Sequence, residues 1–326
     1  MPHKSTKTSF KDILWELFCL SSIVGIWPRH IEPRLVRVTE KKLPIHDLDP
    51  ALEGFSLLHF SDLHLSPRVS QSYLAKLIET IQSLNPDLIV FTGDFINYST
   101  LDDAERLKRF LCSFDPLYGC YAVYGNHDYA QPVSVDEKGD YALLTDERKI
   151  PFNEIFKRLA RQQTLSAHVT DKVKQIPFHS ELHQLIQKTP FRILENETIA
   201  INVQGATLNI TGLGEHMLGR SDPQKAFANY QLSHPGIILS HNPDSLATLQ
   251  HYPGDLILCG HTHGCQVNIP WIRARFTLME HWQYRRGFIS LDNKIAYVTT
   301  GVGASFPFRW FAQPEVALFT LTRKAS

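Results

Sequence analysis

Five segments of the chain end a hydrophobic run in side chains that bind cations or move protons. They are Asp62-Leu63-His64, Gly93-Asp94, Gly125-Asn126-His127-Asp128, the lone His241 of Ser-His-Asn-Pro-Asp, and Gly260-His261-Thr262-His263. Singly, each is ordinary. Gly-Asp and Gly-Asn are common turns, and a histidine at a strand end is usually a hydrogen-bonded structural residue. Together they are not ordinary, because Asp62, His64, Asp94, Asn126, His241, His261 and His263 at one sheet edge would each need a partner that a packed core does not supply. Divalent cations supply it. Carboxylates with neutral imidazoles suit manganese, iron or zinc better than magnesium or calcium. No cysteine stands among the candidate ligands, so the site stays open to hard oxygens such as phosphate. The chemistry that needs two ions about 3.5–4 Å apart is in-line displacement at phosphorus.

The elements that must position these residues follow from periodicity. FSLLHFSD, DLIVFTGD, YAVYGNHD, GIILSHNPD and DLILCGHTHG each read as a short strand closing on polar residues. Between the first two, Leu74, Leu77, Ile78 and Ile81 repeat at helical spacing, and Leu107, Phe110, Leu111 and Phe114 do so further on. Strand, helix, strand with chemistry at the carboxyl ends predicts an α/β fold with the site along that edge. Residues 129–190 interrupt the rhythm as a helical insertion or cap. One of its helices carries Phe152, Ile155, Phe156 and Leu159 on a face, and the other Phe178, Leu182, Leu185 and Ile186. FRILENETIAI, LNITGL, FISL, IAYVTT and VALFTL return to strand.

Composition narrows the partners. With 33 basic and 33 acidic residues the net charge is zero, so the counterion-release affinity of a nucleic-acid binder is missing. Five cysteines without a CxxC exclude a disulfide scaffold and a zinc ribbon, and fit a reducing compartment. Residues 1–42 form a separate amino-terminal unit ahead of the 43–326 domain. Ile13 to Trp27 is apolar apart from Glu16 and would span about 22 Å as a helix, short of the ~30 Å hydrocarbon core. Basic residues flank it on both sides, from Lys4, Lys7 and Lys11 to Lys41 and Lys42. The stretch therefore reads as an in-plane membrane-anchor helix on an anionic cytoplasmic leaflet.

In their order, DLH, GD, GNHD, a lone histidine and GHTH resemble the calcineurin-like metallophosphoesterases, from about Leu52 to Leu321. The resemblance implies a four-layer αββα sandwich. It also implies that Asp62, His64 and His263 hold one metal, that Asp94 bridges, and that Asn126, His241 and His261 hold the second. Two divalent ions are implied, with manganese expected, and His127 is implied as the catalytic group on the phosphate and leaving oxygen beside Asp94. Asp128 is left as a turn residue or as one that orients His127. IEPRLVRV after the apolar stretch, GHTHGCQVNIP and TTGVGASFPFRWFAQPEVALFTL resemble the membrane-associated branch, in particular its pyrophosphatases that cleave UDP-2,3-diacylglucosamine to UMP and 2,3-diacylglucosamine 1-phosphate in lipid A synthesis. That branch implies a nucleotide-linked lipid substrate at the cytoplasmic face of a bacterial inner membrane, peripheral or monotopic, with no nucleic acid and no obligatory protein partner. Cys265 departs from the glycine the branch carries there. Arg309, with its planar fork, is the candidate clamp on substrate phosphate. His59 is read as structural. A broad phosphodiesterase or phosphatase would share every metal ligand, whereas a non-catalytic scaffold would have lost some of them.

Overall fold

The computed structural model describes residues 10–144, 165–271, 273, 279–306 and 308–324. Successive side chains of a strand face opposite ways, so strands that are apolar at every position must be covered on both faces. In β2 (Ser56–Phe60) Leu57 points to one core while Leu58 and Phe60 point to another. In β3 (Leu88–Phe91) Leu88 and Val90 share the face of Leu57, with Ile89 and Phe91 opposite. β10 (Gly236–Leu239) and β11 (Leu256–Cys259) repeat the pattern, sending Ile237, Leu239, Leu256 and Leu258 to the same core as Leu57. Two sheets therefore pack face to face across one shared apolar layer.

The first sheet runs in the order β1 (Arg37–Ile45), β14 (Glu315–Arg323), β2, β3, β4 (Cys120–Ala122) and β7 (Phe191–Ile193). Its β2, β3, β4 and β7 are parallel, and β14 returns antiparallel to β2. The second runs β12 (Gly287–Leu291), β13 (Lys294–Val298), β11, β10, β9 (Ala206–Gly212) and β8 (Glu197–Val203), parallel at its centre and antiparallel at both edges.

Helices cover the outer face of the first sheet. α2 (Gln71–Ser83) begins at Ser70, whose Oγ accepts from Tyr73 N, and α3 (Ala104–Leu111) at Asp103, whose carboxylate accepts from Arg106 N. Their buried Leu74, Leu77, Ile81, Leu107, Phe110 and Leu111 join the outward residues of β2 and β3. The second sheet carries a thinner cover, in which Leu246 and Leu249 of a one-turn helix lie on Ile238 and Ile257. The expected four layers are present, and the outermost is built of single turns.

Two expectations change. The unit boundary at residue 42 falls inside β1, which pairs with β14 from Arg37 onward. The insertion is not all helix: a hairpin of β5 (Val133–Val135) and β6 (Tyr141–Leu143) opens it. The Ser180–Ile186 helix packs Leu182, Leu185 and Ile186 into the domain core, while the expected helix around Phe152–Leu159 lies outside the described residues. At the amino terminus, α1 (Phe10–Ser21) continues directly into π-helical turns over Ser22–Ile31, which contain Pro28. Proline has no N–H for the i→i−4 ladder, which accounts for wider turns around it. Trp15, Leu17, Phe18, Leu20 and Ile23 are exposed along this helix. No helix among the described residues is long and apolar enough to cross a membrane.

Leu258 is fully buried between the sheets. Leu258→Ala should cost about 2–5 kcal/mol of unfolding free energy, read from the denaturant midpoint at unchanged slope.

Candidate metal centre

Every chemistry-bearing segment leaves the carboxyl end of a strand that is parallel to its neighbour. Asp62 and His64 follow β2, Asp94 follows β3, Asn126 to Asp128 follow β4, His241 follows β10, and His261 and His263 follow β11. Backbone bonds lock these exits in pairs: Asp62 N donates to Gly93 O (2.9 Å), His64 N to Asp94 O (3.0 Å), and Gly260 N to His241 O (2.9 Å). The turns are tight enough to force left-handed backbone at five candidate ligands. Asp62, His64, Asp94, His261 and His263 have φ of 57°, 44°, 62°, 68° and 50°. Asp and His are among the side chains that tolerate this region, at about 1–2 kcal/mol each.

The glycines in front of the ligands have a steric reason. A Cβ on Gly125 would lie 2.2 Å from Asp94 Oδ1, and one on Gly260 would lie 2.0 Å from Ser61 Oγ and 2.5 Å from Asp62 Oδ2. Only a bare backbone lets the two sheets bring their edges this close.

Lone-pair atoms converge in two groups that meet at Asp94. His64 Nε2 lies 2.9 Å from His263 Nε2 and 3.6 Å separates His263 Nε2 from Asp62 Oδ1. On the other side, His261 Nδ1 is 2.9 Å from Asn126 Oδ1 and 3.3 Å from His241 Nε2. Asp94 Oδ2 is 3.4 Å from His64 Nε2 and 3.3 Å from His241 Nε2, so one oxygen faces both groups. His241 Nδ1 donates to Thr92 O at 2.6 Å, which turns its Nε2 lone pair toward the centre. Nitrogen and oxygen acceptors crowded in this way fit divalent ions.

His127 is set differently. Tyr98 N donates to His127 Nδ1 at 2.8 Å, so that nitrogen is an acceptor and the neutral ring carries its proton on Nε2. The Tyr98 and Ser99 backbones are left-handed too (φ 48° and 56°), and Ser99 N binds His127 O. Asp128 neither orients the His127 ring nor merely closes a turn. Its carboxylate accepts from the N–H groups of Asp94 (2.7 Å), Phe95 (2.8 Å), Ile96 (3.2 Å) and Gly125 (2.9 Å), which clamps the Asp94 loop to the Asn126 loop.

Burial separates the titrations. It pulls His64 and His261 down to about 3 and holds His263 well below its usual range, so these rings are neutral, as cation ligands must be. It also lowers His127. Burial pushes Asp62 up to about 7. Burial would raise Asp94 as well, but His241, His127 and His64 outweigh it and hold Asp94 well below the carboxylate range. Burial likewise works against a charge on His241, yet the Asp94 carboxylate lifts its pKa well above the usual value. A cation held by Asp94 and His241 would take over the role of that proton.

Residues 55–265 match the calcineurin-like phosphoesterase family. The chain belongs to this family. As a member it is a metal-dependent hydrolase. It is 36% identical to the UDP-2,3-diacylglucosamine pyrophosphatase LpxG of Chlamydia trachomatis serovar D, over 91% of this chain and 92% of that protein. The LpxG of Chlamydia muridarum is 34% identical over the same shares. The phosphodiesterase YaeI of Escherichia coli is 27% identical over 82% of each chain.

The phosphoesterase cleft has a volume of about 140 Å³ and is lined by Asp94, Asn126, His127, His261 and His263 on one side. Val133 and Leu144 of the hairpin region, Met217 and Phe306 give it an apolar side. Cys265 also lines it, with left-handed backbone (φ 73°) and 1% exposure. His59 is buried, and its Nε2 pairs with Thr92 Oγ1 at 2.9 Å, a structural role. Arg309 does not fill the expected place as a phosphate clamp. It is fully buried, with Nη1 on Ala312 O (2.7 Å) and Nη2 on the carbonyls of Thr300 (2.8 Å) and Gly303, 3.3 Å from His263 Nδ1. Its fork is spent on carbonyls behind His263. Sequence reasoning passed over Tyr98 and Thr92, which act through backbone atoms that no side-chain pattern reveals.

Gly125→Ala should cut divalent-metal affinity about 10–100-fold in a folded protein, measured by titration of the metal-free form. Asp62→Asn should act in opposite directions with and without metal. An acid whose folded pKa is raised destabilises the fold once pH exceeds its unfolded value, and the cost is complete above about pH 7. In chelator at pH 8 the variant should therefore melt about 2–4 °C or more above the wild type, and with metal added the order should reverse.

Proposed function

We propose that the protein hydrolyses the pyrophosphate bond of UDP-2,3-diacylglucosamine, giving UMP and 2,3-diacylglucosamine 1-phosphate in lipid A synthesis. The observation that carries this reading is the pair of LpxG relatives, similar across nine-tenths of both chains. Support also comes from the exposed apolar helix at the amino terminus, which hydrolysis of a soluble ester does not need. Lying in the plane of the cytoplasmic leaflet of a bacterial inner membrane, that helix would hold the enzyme where its lipid substrate is.

In this reading Asp62, His64 and His263 hold one divalent ion, Asn126, His241 and His261 a second, and Asp94 Oδ2 faces both. Manganese is the expected metal. Such a pair, when bound, supplies an activated water and neutralises charge on the phosphoryl oxygens. The residues of the chain do the rest. Asp128 and the glycines keep the two loops at fixed spacing. Water forms the new oxygen bond at the α phosphorus while the bond to the bridging oxygen breaks. The attacking water gives up a proton to solvent, and His127 Nε2–H, the donor left by the Tyr98 contact, hydrogen-bonds to the departing phosphate oxygen and stabilises its charge while keeping its own proton.

A broad phosphodiesterase would use the same ligands, and product analysis separates the two. Detergent-purified protein with UDP-2,3-diacylglucosamine and manganese should release UMP and the lipid monophosphate, far faster than it cleaves a chromogenic phosphodiester, and should stop in chelator. Turnover of the chromogenic ester without the lipid reaction would remove the lipid substrate and keep the chemistry. His127→Ala should lower kcat about 10²–10⁴-fold at unchanged metal content. Asp94→Ala should lose metal and activity together, and normal turnover by that variant would overturn the two-ion assignment.

A further inference from the structure

Beside the metal centre lies a second cavity of about 430 Å³, under the end of the amino-terminal helix. Arg29 and Arg34 enter it from that helix end, Arg68 from the loop after β2, and buried Arg309 lines it as well. No carboxylate lines it. Among the described residues, the side chains of Arg29, Arg34 and Arg68 form no hydrogen bond and no ion pair, and Arg309 Nε is buried without a hydrogen-bond partner. Arg29, Arg34 and Arg68 are exposed, and three guanidinium groups at the mouth of one cavity without a carboxylate concentrate positive potential there, where the planar fork of arginine fits phosphate oxygens.

The neighbourhood says what carries the phosphate. The helix that supplies Arg29 and Arg34 exposes Trp15, Leu17, Phe18, Leu20 and Ile23 before them. Across the same helix end lies an apolar cavity of about 610 Å³, lined by Ile23, Ile26, Trp27, Ile31, Trp310 and Phe311. Arginines just past a lipid-facing helix sit at headgroup level. A basic cavity and an apolar one on two sides of one helix end match an amphiphile with an anionic head. We infer that the Arg29, Arg34 and Arg68 cavity binds the phosphate headgroup of an anionic membrane phospholipid. Its wall, Val302 to Ser305, reaches the cleft at Ser305, so the occupied cavity would abut the catalytic site.

The inference rests on the membrane-lying reading of the helix, and two arms of one flotation experiment keep them apart. Full-length protein is mixed with phosphatidylcholine vesicles, with and without about one-third phosphatidylglycerol, at physiological salt. Binding to the neutral vesicles tests the helix. The gain on adding phosphatidylglycerol tests the cavity. At about five-fold per arginine, the R29Q/R34Q/R68Q variant should lose on the order of a hundred-fold of that gain. A K41Q/K42Q variant, altered on β1 outside the cavity, should keep it. The triple variant should also keep its metal content and its turnover of a chromogenic phosphodiester. A triple variant that keeps the gain, or loses no more than K41Q/K42Q, overturns the inference. So does a raised KM for UDP-2,3-diacylglucosamine in neutral micelles with the gain intact, which would give the arginines to the substrate.

Discussion

A carboxylate buried between two sheets is stable only if the groups around it are arranged to hold its charge, and around Asp94 that requirement organises the whole edge. Its side chain accepts from His127 N (2.9 Å) and faces His64 and His241, while its own N–H is held by Asp128. The contacts come from both sheets. His241 also reaches across to Thr92 O, and His261 N reaches back to both oxygens of Asp62 at 3.0 and 3.1 Å. The candidate ligands are thus cross-links between the sheets before any ion arrives. The shared core positions the site, because Leu57, Val90, Ile237 and Leu258 pack in the layer whose thickness sets the separation that the cross-links bridge.

Most of this was legible in the residues because strand periodicity and motif chemistry are local. The runs that become β3, β10 and β11 carry no polar side chain, β2 adds only Ser56 and His59, and the polar residues that follow each are the ones that converge. Tertiary facts were not legible. β1 is a strand whose residues Arg37 to Lys42 are mostly solvent-exposed, so it shows no apolar alternation and looks like a basic flank. The β5–β6 hairpin has three residues a side, too few for a period to appear. Asp128 gathers N–H groups from a loop over thirty positions away, and no spacing announces that. Arg309 was read by the chemistry of its side chain, but burial decides its partners, and burial is a property of the whole fold.

The amino-terminal helix is tied to the site by more than proximity. Glu32 is buried and accepts from Ala312 N (2.6 Å) and from Trp27 Nε1 (2.9 Å), and Pro28 O accepts from Arg309 N (2.7 Å). Arg309 in turn holds the Thr300–Gly303 carbonyls and lies against His263. A continuous path of hydrogen bonds therefore runs from the exposed apolar helix to a candidate ligand.

The left-handed turns at Asp62, His64, Asp94, His261 and His263 bear on attempts to retune the metal. Swapping donor atoms to favour a softer or harder ion is ordinarily a matter of electronics and cavity size. Here each replacement must also adopt a backbone shape that aspartate, asparagine and histidine accept more readily than most residues do. A β-branched or longer substitute meets that conformational toll before its donor reaches the ion. The accessible variants are therefore confined to a short alphabet, and selectivity is more easily altered from the surrounding hydrogen bonds than from the ligands themselves.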